Sequence, residues 1–209
     1  EPGAGSDAMN AKTKAVLSED GKHYILNGEK IFITNAGWAS SFIVYAKVNG
    51  EDFTGFIVEK DFPGVSTGKE EEKMGAHGSS TRPVILEDAK VPVENVLFEV
   101  GKGHKIAFNI LNIGRWKLGA ASVGGCKGCV REAVKYANGR IQFKAPISSF
   151  GMIKTKLANM AVKTYMSDSV MYRLAGMFDN KLGTLDAEAK KSGAENAKAI
   201  EEYAAECSI

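Results

Sequence analysis

Apolar residues come in short alternating runs through the first half of the chain and at helical intervals through the second. Between Ala11 and about Phe98, β-branched and aromatic residues cluster over 14–17, 23–26, 30–34, 41–46, 54–58 and 82–86, separated by Gly, Asn, Asp and Pro. These runs predict strands. Glu19-Asp20-Gly21 and Asn27-Gly28 predict turns, the second a hairpin. So short a spacing argues for an antiparallel barrel or sandwich, closed off at Pro92. From Lys105 onward Ile106, Ile110, Ile113 and Leu118 recur at near-helical spacing, predicting a helix to about Ala137 that Asn138-Gly139 stops. A second helix is expected from Ser148 or Ser149, where either hydroxyl can cap it, to beyond Leu174, with Asn180 and Gly183 breaking the pattern. A third is expected from about Thr184, favoured by Asp186, to Ile209. The expected class is α+β: an antiparallel β-barrel-like domain over residues 1–101, then an incomplete up-down helical bundle over 102–209. Apolar faces on such a bundle need a further segment or subunit to cover them.

Composition narrows the function classes. The 209 residues are 44% hydrophobic and 25% charged, with a net charge of +2. Basic and acidic residues are interspersed, so the stripe that tracks a phosphate backbone is missing and a nucleic-acid binder is excluded. No apolar run approaches the length of a membrane span, which makes a soluble, interior compartment the expectation. Cys126 and Cys129 form a lone C-x-x-C with Cys207 far away, too few ligands for a zinc site, and both are read as small buried helix residues. His23, His77 and His104 have no metal spacing, so no metal site is expected.

The chemistry concentrates elsewhere. Glu1-Pro2-Gly3-Ala4-Gly5-Ser6-Asp7 is a glycine-punctuated loop. Pro2 fixes φ, and Gly3 and Gly5 let backbone amides converge on a flat or anionic ligand. By itself the heptapeptide also reads as an ordinary polar turn. Such a loop normally follows a strand or helix, and the last helix runs on to Ile209, so an internal portion of a longer protein is expected.

Taken together, several motifs resemble those of the acyl-CoA dehydrogenase family, in the family's order and along essentially the whole chain. They are the opening heptapeptide, Gly28-Glu29-Lys30-Ile31-Phe32-Ile33-Thr34-Asn35, and Phe53-Thr54-Gly55-Phe56-Ile57-Val58. Lys73-Met74-Gly75 with Ser79 and Thr81 follows, then Glu87-Asp88-Ala89-Lys90-Val91-Pro92, and then Tyr136 with Arg140-Ile141-Gln142-Phe143. Phe150-Gly151-Met152-Ile153-Lys154 is most similar to longer-chain and bacterial members.

The resemblance implies FAD as cofactor and an acyl-CoA as substrate. Glu1, Pro2, Gly3, Ala4, Gly5 and Ser6 match the segment lying against FAD, with Ser6 also near the acyl-CoA. Phe32, Ile33 and Thr34 match the tripeptide beside the flavin ring, where the threonine hydroxyl tunes and orients the cofactor. Many members carry Trp at the Phe32 position; a buried strand residue is the alternative there. Arg140, Gln142 and Phe143 match an element presented to FAD by a neighbouring subunit, the guanidinium toward the pyrophosphate. Without the resemblance, Arg140 reads as a solvated loop arginine. Lys144 stands where the family usually has glycine. Asn112 and Arg115 share a helical face and match positions near the substrate, although many members have Asp at the first.

The implied reaction is α,β-dehydrogenation of the thioester in fatty-acid β-oxidation. A carboxylate takes the α-proton while hydride leaves the β-carbon. No residue here matches the family's base. Gly114, just before Arg115, carries no carboxylate, and Glu195, Glu201, Glu202 and Glu206 fit a solvated face. The resemblance further implies a homodimer or homotetramer, an electron-transfer flavoprotein as acceptor, and a location that is cytoplasmic in a bacterium or the mitochondrial matrix in a eukaryote. These 209 residues alone are expected to be inactive and to hold FAD poorly. A non-catalytic module derived from the fold and an acyl-CoA oxidase are the alternatives.

Overall fold

The computed structural model describes residues 1–192, apart from the side chains of 112, 113 and 185–192. It divides into two compact units, Glu1–Ala107 and Phe108–Ile209. The first is built on β1 (Lys14–Leu17), β2 (His23–Thr34), β3 (Ser41–Val48), β4 (Asp52–Glu59), β5 (Val65–Thr67), β6 (Thr81–Pro92) and β7 (Val96–Leu97). The strands form one sheet in the order β5-β6-β2-β1-β3-β4-β7.

Two expectations about this sheet are corrected. It is not closed into a barrel, and it is not wholly antiparallel, because Lys14 and Ala15 of β1 pair in parallel with Lys47 and Val48 of β3. Neither feature is local: both depend on strands far apart in sequence, on which hairpin signals are silent. The barrel-like part of the expectation has a physical counterpart in the core. Leu26, Leu86, Val84 and Val91 from β2 and β6 share one cluster with Val44, Phe56 and Val58 from β3 and β4. Tyr24 meets Phe56 edge-on at 5.2 Å although two strands lie between theirs in the sheet. The sheet therefore curls around its own apolar face. Alternation drives this, since β3 buries Phe42, Val44, Ala46 and Val48 and turns the intervening residues outward.

Glu19-Asp20-Gly21 does turn the chain between β1 and β2, which pair antiparallel from Lys14↔Asn27 to Leu17↔Tyr24. Asn27-Gly28 does not turn it; the two residues lie inside β2. Between Leu26↔Ala89 and Gly28↔Leu86, β6 carries two residues against one, a bulge at which Asp88 adopts φ 47°. Asn27 and Asp88 close it reciprocally, the Asn27 Nδ2 donating to the Asp88 carboxylate at 3.0 Å and the Asp88 amide to the Asn27 Oδ1 at 2.9 Å. Gly28 is needed for a different reason: a Cβ there would lie 2.5 Å from the Thr13 hydroxyl and 2.9 Å from its Cα.

Gly64 is bound more tightly still. It sits at φ +86°, and a Cβ would come within 2.3 Å of the Glu87 carbonyl and 2.8 Å of the Ala89 backbone. Gly64→Ala is expected to cost about 2–3 kcal/mol from left-handed strain and overpacking, read as a lower urea midpoint.

The second unit begins within α1 (Gly103–Gly139), followed by β8 (Ile141–Gln142), β9 (Ala145–Pro146) and α2 (Gly151–Ser192). α1 ends where expected, but α2 corrects two points. It starts after a 3-10 turn over Ile147–Ser149, in which the Ser149 hydroxyl donates to the Pro146 carbonyl instead of capping a helix. It also runs unbroken through Asn180 and Gly183, since one glycine in a long helix costs only about 1 kcal/mol. The separate third helix is thereby replaced by a continuation of the second, and residues 193–209, with the glutamates named above and Cys207, lie outside the described residues. The two helices pack antiparallel: Trp116 meets Phe178 at 5.6 Å, Gly119 lies against Met171, and Lys127 pairs with Asp168 at 2.8 Å. Cys126 and Cys129 are exposed, not buried, because in this pair of helices few α1 side chains are covered. Among the described residues no helix is long and apolar enough to cross a membrane.

Candidate cofactor and substrate site

In the first unit the site is set by an irregularity of β2. Its partner register passes from Lys30↔Val84 to Ile33↔Arg82, so Ile31 and Phe32 oppose the single residue Pro83. Proline has no N–H for the ladder, and the bulge forms against it. Phe32 takes φ 56°, a left-handed conformation costly for an aromatic residue, and is 66% exposed. The alternative of a buried strand residue is thereby set aside. Ile33 packs against the core, while Thr34, paired with Thr81, is exposed. The sheet thus presents an aromatic ring and a hydroxyl from its bulged end.

Two polar clusters hold this end. On one side Glu70 accepts hydrogen bonds from the Thr81 amide, the Ser80 hydroxyl at 2.8 Å and Arg82 Nε at 2.9 Å. The Thr81 amide chiefly, then Arg82 and Ser80, draw its carboxyl down to about 2. Ser80 reaches the chain beyond Thr34: its carbonyl accepts from the Asn35 amide at 2.8 Å and its hydroxyl from the Gly37 amide at 3.2 Å. Lys73 explains the motif in which it occurs, since its ammonium donates to the Ser79 carbonyl, the Ser79 hydroxyl and the Thr81 hydroxyl at 2.6, 3.1 and 2.9 Å.

On the other side lies Glu1. Its carboxylate accepts from the Thr13 hydroxyl at 2.6 Å, the Thr13 amide at 3.2 Å, the Lys12 amide and the Lys30 ammonium. Burial pushes this carboxyl up, but the bonds from Lys30, Thr13 and Lys12 outweigh it and hold it at about 2. Burial lowers Lys30, with Glu1 opposing. The Glu1 carboxylate is thus turned toward Lys30 of β2, while Glu1 remains part of the candidate cofactor loop. Pro2, Gly3, Gly5 and Ser6 are exposed, Ala4 is half-buried, and a Cβ on Gly3 or Gly5 would meet nothing within 4 Å. Within the loop the Ala4 amide donates to the Glu1 carbonyl at 3.2 Å.

The second unit contributes separately. Arg140 follows α1, its amide donating to the Tyr136 carbonyl at 2.9 Å and its carbonyl accepting from Ile147 at 2.9 Å. Glu132, Lys135, Tyr136, Gly139 and Arg140 line an open depression of about 440 Å³. Two cations, one carboxylate and an aromatic ring therefore line it. β8 and β9 pair as Gln142↔Ala145, which leaves Phe143 and Lys144 as a two-residue turn with φ 48° and 62°. Both values are left-handed, the geometry that favours Asn-Gly. Lys144, where the family usually has glycine, adopts the glycine conformation all the same. Phe143 projects from this turn 90% exposed. Gln142 is exposed and donates from Nε2 to the Ile141 carbonyl at 2.8 Å. Asn112 and Arg115 lie in α1; Arg115 is exposed, and the Asn112 side chain is outside the described residues.

Sequence reasoning missed Lys30, Thr13, Glu70 and Pro83. For Lys30 a signal existed: it shares the parity of Tyr24 and Leu26, the inward face of β2, and an inward lysine needs a buried partner.

Comparison with known proteins follows both units. Residues 1–89 match the acyl-CoA dehydrogenase middle domain and residues 101–207 the acyl-CoA dehydrogenase C-terminal domain. A probable acyl-CoA dehydrogenase of Bacillus subtilis (strain 168) is 54% identical over all of this chain, which covers 35% of that protein. The very long-chain specific acyl-CoA dehydrogenase of Macaca fascicularis mitochondria is 41% identical over 99% of this chain and 33% of its own length. An acyl-CoA dehydrogenase of Bacillus anthracis, crystallised with FAD, superposes with a TM-score of 0.88 at 58% identity, over 99% of this chain and 36% of that one. The chain thus spans about a third of the relatives it matches.

Proposed function

We propose, because this chain belongs to the acyl-CoA dehydrogenase family, that the full-length protein is an FAD-dependent acyl-CoA dehydrogenase acting in fatty-acid β-oxidation. The observation that carries this reading is the likeness over both units to the Bacillus anthracis protein crystallised with FAD. The local geometry supports it. Phe32 and Thr34 are displayed by a bulge that a plain strand would not form, and Pro2, Gly3, Gly5 and Ser6 of the opening loop are exposed. When bound, FAD supplies the acceptor for the hydride that leaves the β-carbon.

The chain's own residues bind and orient. The Thr34 hydroxyl, with Phe32 and Ile33, would hold and orient the ring system, and the Glu1 to Ser6 loop would lie against the cofactor. Arg140, with Gln142 and Phe143, serves the pyrophosphate region, presented to a neighbouring subunit in a homodimer or homotetramer. Ser6, Asn112 and Arg115 are the proposed substrate-binding residues. We assign the α-proton to no carboxylate of this chain, since Gly114 stands at the one family position for a base that falls within α1. An electron-transfer flavoprotein is the proposed acceptor, and the compartment is the cytoplasm of a bacterium or the matrix of a mitochondrion.

Anaerobic mixing of the purified full-length protein with a saturated acyl-CoA should bleach its flavin absorbance, and the 2-enoyl product should appear in the quenched mixture. Bleaching followed by rapid oxygen uptake would mark an oxidase instead. A flavin-loaded protein unchanged by every acyl-CoA length would leave the non-catalytic module.

A further inference from the structure

Two segments proposed to meet FAD, the 1–6 loop and the Phe32 bulge, are linked through a single ammonium. We propose that Lys30 is a positioning residue that fixes the loop and the bulge in one arrangement, a role resting on the flavin reading above. Lys30 lies two residues before Phe32, and its Nζ is held by the Glu1 carboxylate and the Tyr45 carbonyl, the latter at 2.6 Å. Only 14% of the Lys30 side chain and 8% of the Glu1 side chain are exposed. Glu1 is tied in turn to Thr13, which lies in van der Waals contact with Gly28 on the same strand as the bulge. Among the described residues, the hydrogen bonds that leave the 1–6 loop all end on the Glu1 carboxylate, from Lys12 and Thr13 ahead of β1 and from Lys30 in β2. The loop glycines contribute no packing of their own. Loop and bulge therefore share one anchor, on the strand that forms the bulge.

The alternative is that the pair serves stability alone. A buried charge that has lost its partner is costly, whereas a pair removed together need not be. The full-length protein is therefore compared with Lys30→Met, Glu1→Gln and the double variant by urea unfolding of the apoprotein, FAD titration, and visible circular dichroism of the bound flavin. Each single substitution should raise the FAD Kd by at least about tenfold and alter the dichroism. The double variant should regain most of the urea midpoint while its Kd stays raised, because the loop is then stable but unplaced. Recovery of both midpoint and Kd in the double variant overturns the role, as does a Kd within about twofold of the unsubstituted protein in any folded variant. If a single variant does not fold, the double variant decides. An unsubstituted protein that takes up no flavin overturns the functional reading, and this role with it.

Discussion

Arg140→Ala in the full-length protein should weaken FAD binding by about ten- to a hundredfold, the equivalent of one charge-assisted hydrogen-bonded contact of about 1.5–3 kcal/mol. The side chain is exposed beside Lys135 in the open depression at the end of α1, so it is free to receive phosphate oxygens. Its structural bonds, to Tyr136 and Ile147, are made by the main chain and survive the substitution. The unfolding midpoint of the apoprotein should therefore hardly move, and flavin content after dialysis should fall. Arg140→Lys should recover part of the affinity, because an ammonium keeps the charge and loses the planar fork. Unchanged flavin retention in Arg140→Ala would remove this arginine from the cofactor site.

Phe56→Ala should be the most damaging change to the first unit, costing about 3–5 kcal/mol in urea unfolding. Phe56 is the largest fully buried side chain among the described residues, meets the Tyr24 ring, and pairs through its backbone with Val44 on one side and Val96 on the other. A cavity there opens where the sheet curls over itself and no neighbour can follow inward without breaking its strand. Against a domain stability of about 5–15 kcal/mol, such a loss leaves much of the β unit unfolded near body temperature. Phe56→Leu, which keeps most of the volume, should cost about 1 kcal/mol. A midpoint in Phe56→Ala close to that of the unsubstituted protein would show that the core lies elsewhere.

What the sequence discloses here depends on the range of the interaction. Strand runs such as 41–46 and 54–58, the Glu19-Asp20-Gly21 turn and the helix stop at Asn138-Gly139 are local and could be read directly. Asn27-Gly28 has the same local signature as a hairpin, yet β6 runs alongside both flanks of the dipeptide and holds it inside one strand. The parallel pairing of β1 with β3 and the open edges of the sheet have no local signature. Gly183 has the local signature of a break, but the turns of α2 on either side outweigh one glycine. At the site, motif order singles out the Phe32 tripeptide and Arg140 as candidates. The left-handed backbone at Phe32 was invisible, since nothing in residues 30–34 shows that a proline lies across the ladder. Glu1 was legible as part of a loop, but its burial against Lys30 was not.

The extra residue opposite Pro83 also has a consequence for side-chain parity. Before it, even-numbered residues such as Tyr24 and Leu26 point inward; after it, the odd-numbered Ile33 does. Were the bulge ironed out with every residue kept, alternation would run on unbroken from Lys30 and swing every later side chain through to the opposite face. The hydroxyl of Thr34 would then be entombed among hydrocarbon and Ile33 stranded in water. The bulge opposite Pro83 therefore decides which face each later residue of β2 takes.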